Sequence, residues 1–373
     1  MRHPARLVVL GWLAVAPWLA GAAPLLDAVA AAPASPPLKG DALLQRIGFA
    51  SCLHQARDQS ILDVVDGQPW DLFLFMGDNV YGDAEPPALE ALAEAYALQA
   101  RSPGLNRLRV ATPVLATWDD HDYGKNDGGA SFAGRASAEV LFHEFWHTPA
   151  DDPVRDRPGV YQSRIVGPEG RRVQIILLDT RSFRAELKAT DSFGAPGRER
   201  YVPDATPGLE MLGEAQWRWL EARLREPAEL RLLVSSVQVI ADGHGWEAWR
   251  MLPAERDRLY ALIDRIAPEG LLILSGDRHR AGIYRQVSGL PYPLYEVTSS
   301  SLNLPIAGAG EEAGPRRLGA TFTEENFGAL EIDWAQAQLT LMILDRAGQP
   351  VRTLRLPLSA LRPDPRAERA AGP

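Results

Sequence analysis

The chain has 373 residues, of which 46% are hydrophobic and 23% charged, and its formal net charge is −9 at pH 7. This composition is that of an ordinary globular protein with a sizeable core, in one large or two ordinary domains. The negative charge argues against a broad nucleic-acid-binding surface. It does not exclude small phosphorylated substrates, because bound cations can reverse the sign of a local site.

The N-terminus has the pattern of an export signal. Arg2 and Arg6 precede an uncharged apolar stretch, and small residues at 28–30 offer a cleavage site. Pro17 and the many alanines make this stretch a poor membrane span, although an uncleaved anchor is the alternative. We therefore predict a signal peptide over residues 1–30, of the Sec type because no twin arginine is present, and a periplasmic or secreted protein.

The rest of the chain is predicted to comprise a linker over 31–43, one domain over 44–360 and a disordered tail over 361–373. Apolar, β-branched runs predict buried strands, and amphipathic patterns predict helices. The predicted strands cover residues 47–51, 71–76, 109–117, 173–178, 230–240 and 270–274, and the predicted helices cover 87–100, 136–147, 214–226 and 253–267. This alternation favours an α/β layered fold.

The pattern changes after residue 290, where strand-like segments follow one another without room for helices. These segments cover 294–300, 327–333, 338–344 and 351–358. They predict an antiparallel meander that forms a second sheet packed on the first, so that one compact sandwich results. Long loops at about 181–212 and 303–325 are expected to carry or cover a functional site.

Polar and ionisable side chains directly follow five of the predicted strands. The residues concerned are Cys52, Asp78, Tyr81, Asp119, Asp120, His121, Asp122, Asp179, Arg181, Asp277, Arg278 and His279. Because the carboxyl ends of strands in an α/β sheet converge on the ligand-binding edge, we expect these side chains to meet. So many acidic groups repel one another unless cations separate them, which predicts a cluster of metal ions.

The ligand types suggest two kinds of ion. Carboxylates and amides suit hard cations such as calcium or magnesium, whereas thiolate, phenolate and imidazole suit a transition metal. Each motif alone has a structural explanation. An Asp-Asn pair is common turn chemistry, Cys52 could be a small buried hydrophobe, and Asp179 could form a structural pair with Arg181.

Taken together and in order, the motifs resemble the alkaline phosphatase D family of metallophosphoesterases. The resemblance covers most of the chain after residue 46 and rests on FASC, GDNVYGD, WDDHD, LDTRSFR, LGEAQWRWL, GWEAW, LSGDRH and ENFGALEID. It implies a four-layer α/β/β/α sandwich, the metallophosphoesterase fold, as a single catalytic domain. It also implies hydrolysis of phosphate monoesters and diesters. One departure is Gly82, which follows Tyr81 where the family commonly has an acid.

The resemblance also implies the metals and their ligands. Cys52 and Tyr81 would bind iron, and Asp78 would bridge metals. Fe³⁺ and Ca²⁺ are the implied ions, with Mn²⁺ or Zn²⁺ as alternatives. The full set of implied ligands is Cys52, Asp78, Tyr81, Asp119, Asp120, Asn126, Asp277 and His279, with Asn126 and one of the two adjacent aspartates holding calcium.

Phosphoryl transfer to water requires a nucleophile, neutralisation of the phosphate charge and protonation of the leaving oxygen. Metal ions supply the first two. We assign His121 as proton donor or charge stabiliser, with Asp122 fixing its tautomer, and Arg181 and Arg278 as candidate phosphate-binding forks. The expected partners are small phosphorylated substrates, with neither a nucleic acid nor a membrane span involved after signal cleavage.

Two alternatives compete with this interpretation. Residues 143–147 read HEFWH, which matches the HExxH helix of zinc metalloproteases, and Glu169 is spaced as a third ligand. The structural explanation of the same segment is a helix whose aromatic side chains pack on the sheet while His143 and His147 are partly exposed. The second alternative is a non-catalytic metal- or phosphate-binding protein on the same fold.

Overall fold

The computed structural model describes residues 19–86, 89–306 and 310–363, and its strands form two six-stranded sheets. The strands are β1 (Arg46–Ala50), β2 (Leu72–Met76), β3 (Val114–Thr117), β4 (Gln162–Val166), β5 (Val173–Leu177), β6 (Leu230–Ser235), β7 (Leu271–Ser275), β8 (Ala281–Gln286), β9 (Leu294–Ser299), β10 (Asn326–Asp333), β11 (Gln338–Asp345) and β12 (Pro350–Pro357). The helices are α1 (Leu19–Val29), α2 (Ile61–Asp66), α3 (Glu90–Gln99), α4 (Pro103–Ala111), α5 (Asp120–Tyr123), α6 (Arg135–Phe145), α7 (Gly213–Leu224) and α8 (Pro253–Ile266).

The first sheet has the order β12-β11-β10-β1-β2-β3, and the second has the order β4-β5-β6-β7-β9-β8. In the first sheet β1, β2 and β3 are parallel, and β10 pairs antiparallel with β1. The meander of β10, β11 and β12 therefore extends the first sheet, and the prediction that it forms a second sheet is wrong. Strands β5, β6, β7 and β9 are parallel and form the centre of the other sheet.

Alternation along β2 explains how the layers stack. Leu72, Leu74 and Met76 belong to the core shared with the second sheet, whereas Phe73 and Phe75 belong to the core beneath α2, α3, α4 and α6. Helices α7 and α8 bury their apolar residues against the second sheet. Since side chains of a strand alternate between faces, both faces of the first sheet are covered. The predicted four-layer α/β/β/α sandwich is confirmed.

Two strand predictions were too long. Residues 109–111 belong to α4, which starts with Pro103 after Ser102, whose hydroxyl accepts the N–H of Leu105 as a helix cap. The strand predicted over 230–240 ends at Ser235. Beyond it, the N–H groups of Val239 and Ile240 donate to the buried carboxylate of Glu296 and not to a strand partner.

The structure describes only part of the predicted signal peptide and of the predicted tail. Residues 1–18 of the predicted signal peptide lie outside the described residues, as do residues 364–373 of the predicted tail. Helix α1 packs on α3 and α6, with Val29 buried at its end. In the predicted linker, Ala32 is buried and Leu38 packs against the core. None of the described helices combines the length and apolar character needed to cross a membrane.

Candidate metal centre

The carboxyl ends of strands from both sheets meet at one rim. Cys52 follows β1, Asp78 follows β2, Asp119 follows β3, and Asp277 and His279 follow β7. Four of these residues have positive φ: Cys52 (61°), Asp78 (53°), Asp277 (65°) and His279 (50°). Non-glycine residues seldom adopt this conformation and persist in it only when the surrounding structure fixes them. The rim therefore holds its polar side chains at a cost in backbone strain.

The thiol of Cys52, the phenol of Tyr81 and the carboxylate of Asp78 lie next to one another at this rim. The Cys52 Sγ lies 3.3 Å from Asp78 Oδ2, and the Tyr81 hydroxyl donates to the same oxygen at 3.1 Å. His279 offers a ring nitrogen within 4.8 Å of ligand atoms of Cys52 and Asp78. Its Nδ1 lies 2.5 Å from the carbonyl oxygen of Leu304, which only accepts, so Nδ1 carries the proton. Nε2 is then left unprotonated, as metal-binding histidines require.

Carboxylates extend this site into a larger acidic cluster. Asp78, Asp119 and Asp120 bring ligand oxygens within 4.8 Å of one another, and so do Asp120, Asp127 and Glu247. Because Asp78 and Asp120 each belong to two groups, the three groups form one chain of ligands. Asp127 and Glu247 were not predicted as ligands. The only local signal for Glu247 is its position between two tryptophans in GWEAW, one of the motifs that carry the resemblance.

Buried arginines offset part of this charge. Arg181 lies 2.5 Å from Asp119 and 2.7 Å from Glu247, and Arg184 lies 2.9 Å from Glu247. Both guanidinium side chains are fully buried. Arg181 is therefore a structural counter-ion and not the phosphate-binding fork predicted from the sequence, since its donors face the acidic cluster.

Burial governs the pKa values of the cluster. It raises the pKa of the Cys52 thiol, the Tyr81 phenol and the Asp78 carboxyl, and neighbouring negative charges add to each rise. Burial raises the pKa of Asp119 to about 8, although the charge of Arg181 opposes this. Bound cations would replace the protons that these pKa values otherwise retain, so the donor set fits metal ions.

His121 lies beside the cluster and is oriented by an unexpected partner. Its Nδ1 is 3.0 Å from Asp83 Oδ1. Burial opposes its protonation, but the charge of Asp120 and the hydrogen bond that His121 donates to Asp83 raise the pKa of His121 to about 11. In the sequence Asp83 directly follows Gly82, two residues after Tyr81.

Asp122 does not fix the tautomer of His121, and that prediction is wrong. Its carboxylate accepts the N–H groups of Asp78 (3.2 Å), Asn79 (3.2 Å) and Asp119 (2.5 Å). The side-chain amide of Asn79 donates to it as well. The carboxylate of Asp122 thus binds the backbone of the loops that carry the predicted metal ligands. Asp83, and not Asp122, contacts the imidazole of His121.

A family model for PhoD-like phosphatases matches residues 47–340. The chain belongs to the PhoD-like phosphatase family. Alkaline phosphatase D of Bacillus subtilis (strain 168) is 24% identical to it over a match that covers 56% of this chain and 41% of that protein. The chain thus spans less than half the length of this curated relative. The family resemblance inferred from the motifs is confirmed.

A solved structure of PhoD has the same fold. It superimposes with a TM-score of 0.65 at 16% sequence identity, over 89% of this chain and 73% of that one. The superposition supports the metallophosphoesterase fold predicted from the resemblance. At this identity it shows the fold alone, so the roles of individual side chains rest on the geometry of this chain.

The two remaining predicted ligands are Asn126 and Asp277. Asn126 is exposed and lines a surface cleft with Lys125, whereas its neighbour Asp127 belongs to the acidic cluster. The backbone N–H of Asp127 donates to the carboxylate of Asp120 at 2.7 Å, which holds Asp127 and not Asn126 next to the cluster. Asp277 is partly buried and belongs to none of the three ligand groups, although burial raises its pKa well above the usual value and the charge of Asp119 adds to the rise.

The two other sequence candidates at the rim are engaged in protein contacts. Arg278 is 5% exposed and lies 2.5 Å from Glu312 in the 303–325 loop. Asp179 accepts the N–H groups of Val160, Arg181 and Ser182 at 2.9–3.1 Å. Asp179 therefore has a structural role, but the guanidinium of Arg181 contacts Asp119 and not Asp179, so the suggested Asp–Arg pair is wrong.

The HEFWH segment does not form a zinc site. Helix α6 ends at Phe145, and His147 follows with a φ of 51°. The Nδ1 of His143 lies 3.0 Å from the Thr148 hydroxyl, and His147 Nε2 lies 2.6 Å from the carbonyl of Ala32. The His143 side chain is buried, contrary to the predicted partial exposure, and Glu169 is exposed in the β4–β5 turn. Within the described ranges, no three-residue ligand group includes either histidine.

Proposed function

We propose that this protein is a metal-dependent hydrolase of phosphate monoesters, diesters or both. Membership of the PhoD-like phosphatase family supports this class of reaction. The observation that carries the proposal is the chain of ligand groups joined through Asp78 and Asp120. Such a chain offers places for more than one cation side by side, which is what a phosphoryl group clamped between metals needs.

We further propose that the two ends of the cluster take different ions. At one end Cys52, Tyr81 and His279 offer a thiolate, a phenolate and an imidazole, a set suited to Fe³⁺. At the other end Asp127 and Glu247 offer only oxygen ligands, a set suited to Ca²⁺. Mn²⁺ and Zn²⁺ are the alternatives that elemental analysis would distinguish.

When bound, the ions supply an activated water and neutralise the charge of the phosphate oxygens. The protein supplies the proton. His121, charged and held at Nδ1 by Asp83, donates a proton to the leaving oxygen of the ester. Its ring also packs against Tyr81, with centroids 4.3 Å apart, and His54 stacks on Tyr81 at 4.9 Å. The three rings restrain one another, which fixes the direction from which the proton arrives.

The proposal is tested by the turnover of p-nitrophenyl phosphate and of bis(p-nitrophenyl) phosphate by purified protein. We expect hydrolysis that is lost on chelation, restored by iron with calcium, and reduced about 10²- to 10⁴-fold in His121→Asn, the range of general acid catalysis. Phosphate binding without turnover of either ester would instead favour the non-catalytic binding protein.

We also propose that the protein is exported and acts on small phosphorylated substrates in the periplasm or outside the cell. The basic and apolar pattern of residues 1–30 supports export. The test is fractionation of cells that express the full chain, with N-terminal sequencing of the product. Recovery of the protein only in the cytoplasmic fraction would contradict export.

A further inference from the structure

The long 181–212 loop contains a hairpin that docks beside the acidic cluster. Isolated bridges join Ala189 to Tyr201 and Ala195 to Arg198. The N–H groups of Arg200 and Tyr201 both donate to the carbonyl of Gly245, at 3.0 and 2.7 Å. The hairpin is thus fixed by its backbone to the segment that leads into Trp246 and Glu247.

The hairpin brings one arginine to the edge of the cluster. Arg200 lies 2.5 Å from Asp127 Oδ2, and the Tyr201 hydroxyl donates to the same oxygen at 2.7 Å. The Arg200 side chain is 36% exposed, whereas Arg181 and Arg184 are fully buried against Glu247. A guanidinium has five N–H donors, and the contact with Asp127 leaves donors of Arg200 available to an anion.

A tryptophan contacts this arginine and a second arginine of the rim, Arg278. Trp246 is partly exposed and directly precedes Glu247 of the acidic cluster. The guanidinium carbon of Arg200 is 5.8 Å from the centre of its ring, and that of Arg278 is 5.4 Å away. The two cation–π contacts restrain the indole, and its partly exposed surface is available to a ligand.

We propose that Arg200 and Trp246 form a substrate-binding subsite: Arg200 binds a non-bridging oxygen of the reacting phosphoryl group, and Trp246 packs against a flat, aromatic substituent on the phosphorus. The inference rests on the proposed phosphoesterase activity and names a substrate class for it, phosphate diesters with an aromatic substituent. The arginines selected from the sequence, Arg181 and Arg278, are buried in salt bridges and leave this role to Arg200.

The arginine part is tested by Arg200→Gln, with Arg198→Gln as the matched control. Arg198 is on the same hairpin and pairs with Asp191, where it is 53% exposed. The binding of inorganic phosphate to metal-loaded protein is measured by calorimetry, together with KM and metal content. We expect Arg200→Gln to weaken phosphate binding and raise KM about 10- to 100-fold at unchanged metal content, as for a lost charged hydrogen bond, and the control to change neither.

The outcomes separate the subsite from the proposed function. Normal phosphate binding by an active Arg200→Gln protein would overturn the subsite and leave the phosphoesterase intact. Loss of metal from Arg200→Gln would also overturn it, because Arg200 would then only position Asp127. Wild-type protein that neither binds phosphate nor turns over esters would overturn both.

The tryptophan part is tested with two diesters that share a leaving group. Bis(p-nitrophenyl) phosphate has an aromatic second substituent, and methyl p-nitrophenyl phosphate has a methyl group in its place. We expect Trp246→Ala to raise KM for the first about 3- to 10-fold more than for the second, and Trp246→Phe to restore most of the difference. Equal changes for both esters would remove Trp246 from the subsite.

Discussion

The two ends of the acidic cluster balance their charge in different ways. The thiol end consists of Cys52, Asp78, Tyr81 and His279, and the arginine end consists of Asp119, Asp120, Asp127 and Glu247 with Arg181 and Arg184. At the arginine end, guanidinium groups lie within hydrogen-bonding distance of the carboxylates. At the thiol end, Cys52 contacts Asp78 and the hydroxyl groups of Ser51 and Ser300, which supply no positive charge.

This difference indicates which end depends on a bound ion. Burial raises the pKa of Cys52 and Tyr81, so without a cation both keep their protons near neutrality. At the arginine end, burial would raise the pKa of Asp120, but the charges of His121 and Arg181 lower it below its ordinary value. Asp120 is therefore charged before any metal binds, whereas burial raises the pKa of Asp119, Cys52 and Tyr81, so these groups become charged when a metal replaces their protons.

The largest effect is expected where the two ends join. Asp78 belongs to a ligand group at each end, so Asp78→Asn should weaken metal binding at both. We expect turnover to fall about 10³-fold, because several kcal/mol of charge stabilisation is lost, while the circular dichroism of the fold is unchanged. Activity within tenfold of wild type would show that the ends work independently.

Removing the internal counter-ion should affect stability. In Arg181→Met, the buried carboxyl groups of Asp119 and Glu247 lose the guanidinium that lies 2.5 and 2.7 Å away and is their counter-ion. We expect a loss of about 3–5 kcal/mol in the free energy of unfolding, measured in urea. The control is Arg225→Met, an exposed partner of Glu221, with a change within about 0.5 kcal/mol. Equal stability of the two variants would mean that Arg181 does not balance the arginine end.

Some of this site follows from the sequence because the signals are local. A buried run followed by Gly-Asp places Asp78 and Asp277 at strand ends, and the carboxyl ends of parallel strands meet at one edge. The division of strands between two sheets depends on pairings between distant segments, so the sequence does not reveal that β10 joins β1 and not β9. The overlong strand at 109–117 has a similar cause, since an apolar β-branched run is compatible with the end of α4 followed by β3.

Side-chain partners were harder to predict than positions. Asp122 and Asp83 are both near His121 in sequence or space, and only the fold decides that Asp122 faces backbone N–H groups while Asp83 faces the imidazole. Glu247 reaches the cluster from an irregular segment that no periodic pattern marks. Arg181 was placed correctly after a strand end, but its carboxylate partners, Asp119 and Glu247, come from segments more than 60 residues away, Asp119 by 62 positions.

The effect of replacing Asp83 on turnover should depend on the leaving group of the ester. Asp83→Asn removes the charge that orients His121, so we expect a fall of about 10- to 100-fold for phenyl phosphate, whose leaving oxygen needs a proton, and a smaller fall for p-nitrophenyl phosphate. In a His121→Asn background the change should have no further effect. Glu85→Gln, an exposed acid two residues away, is the control. An equal loss for both esters would argue against a role through His121.

The smallest effect is expected outside the rim. Glu144 lies on α6 and makes a 3.5 Å contact with Arg155 at the surface, so Glu144→Gln should change ester turnover less than about twofold. Casein cleavage by wild-type protein that disappears in this variant would revive the metalloprotease alternative.

We propose that the thiol end holds a transition metal through Cys52. The most direct test is elemental analysis of wild-type protein and of Cys52→Ser, prepared in parallel with iron and calcium present. We predict about one iron per chain in the wild type, and loss of iron with retention of calcium in the variant. Iron at wild-type occupancy in Cys52→Ser would contradict the account.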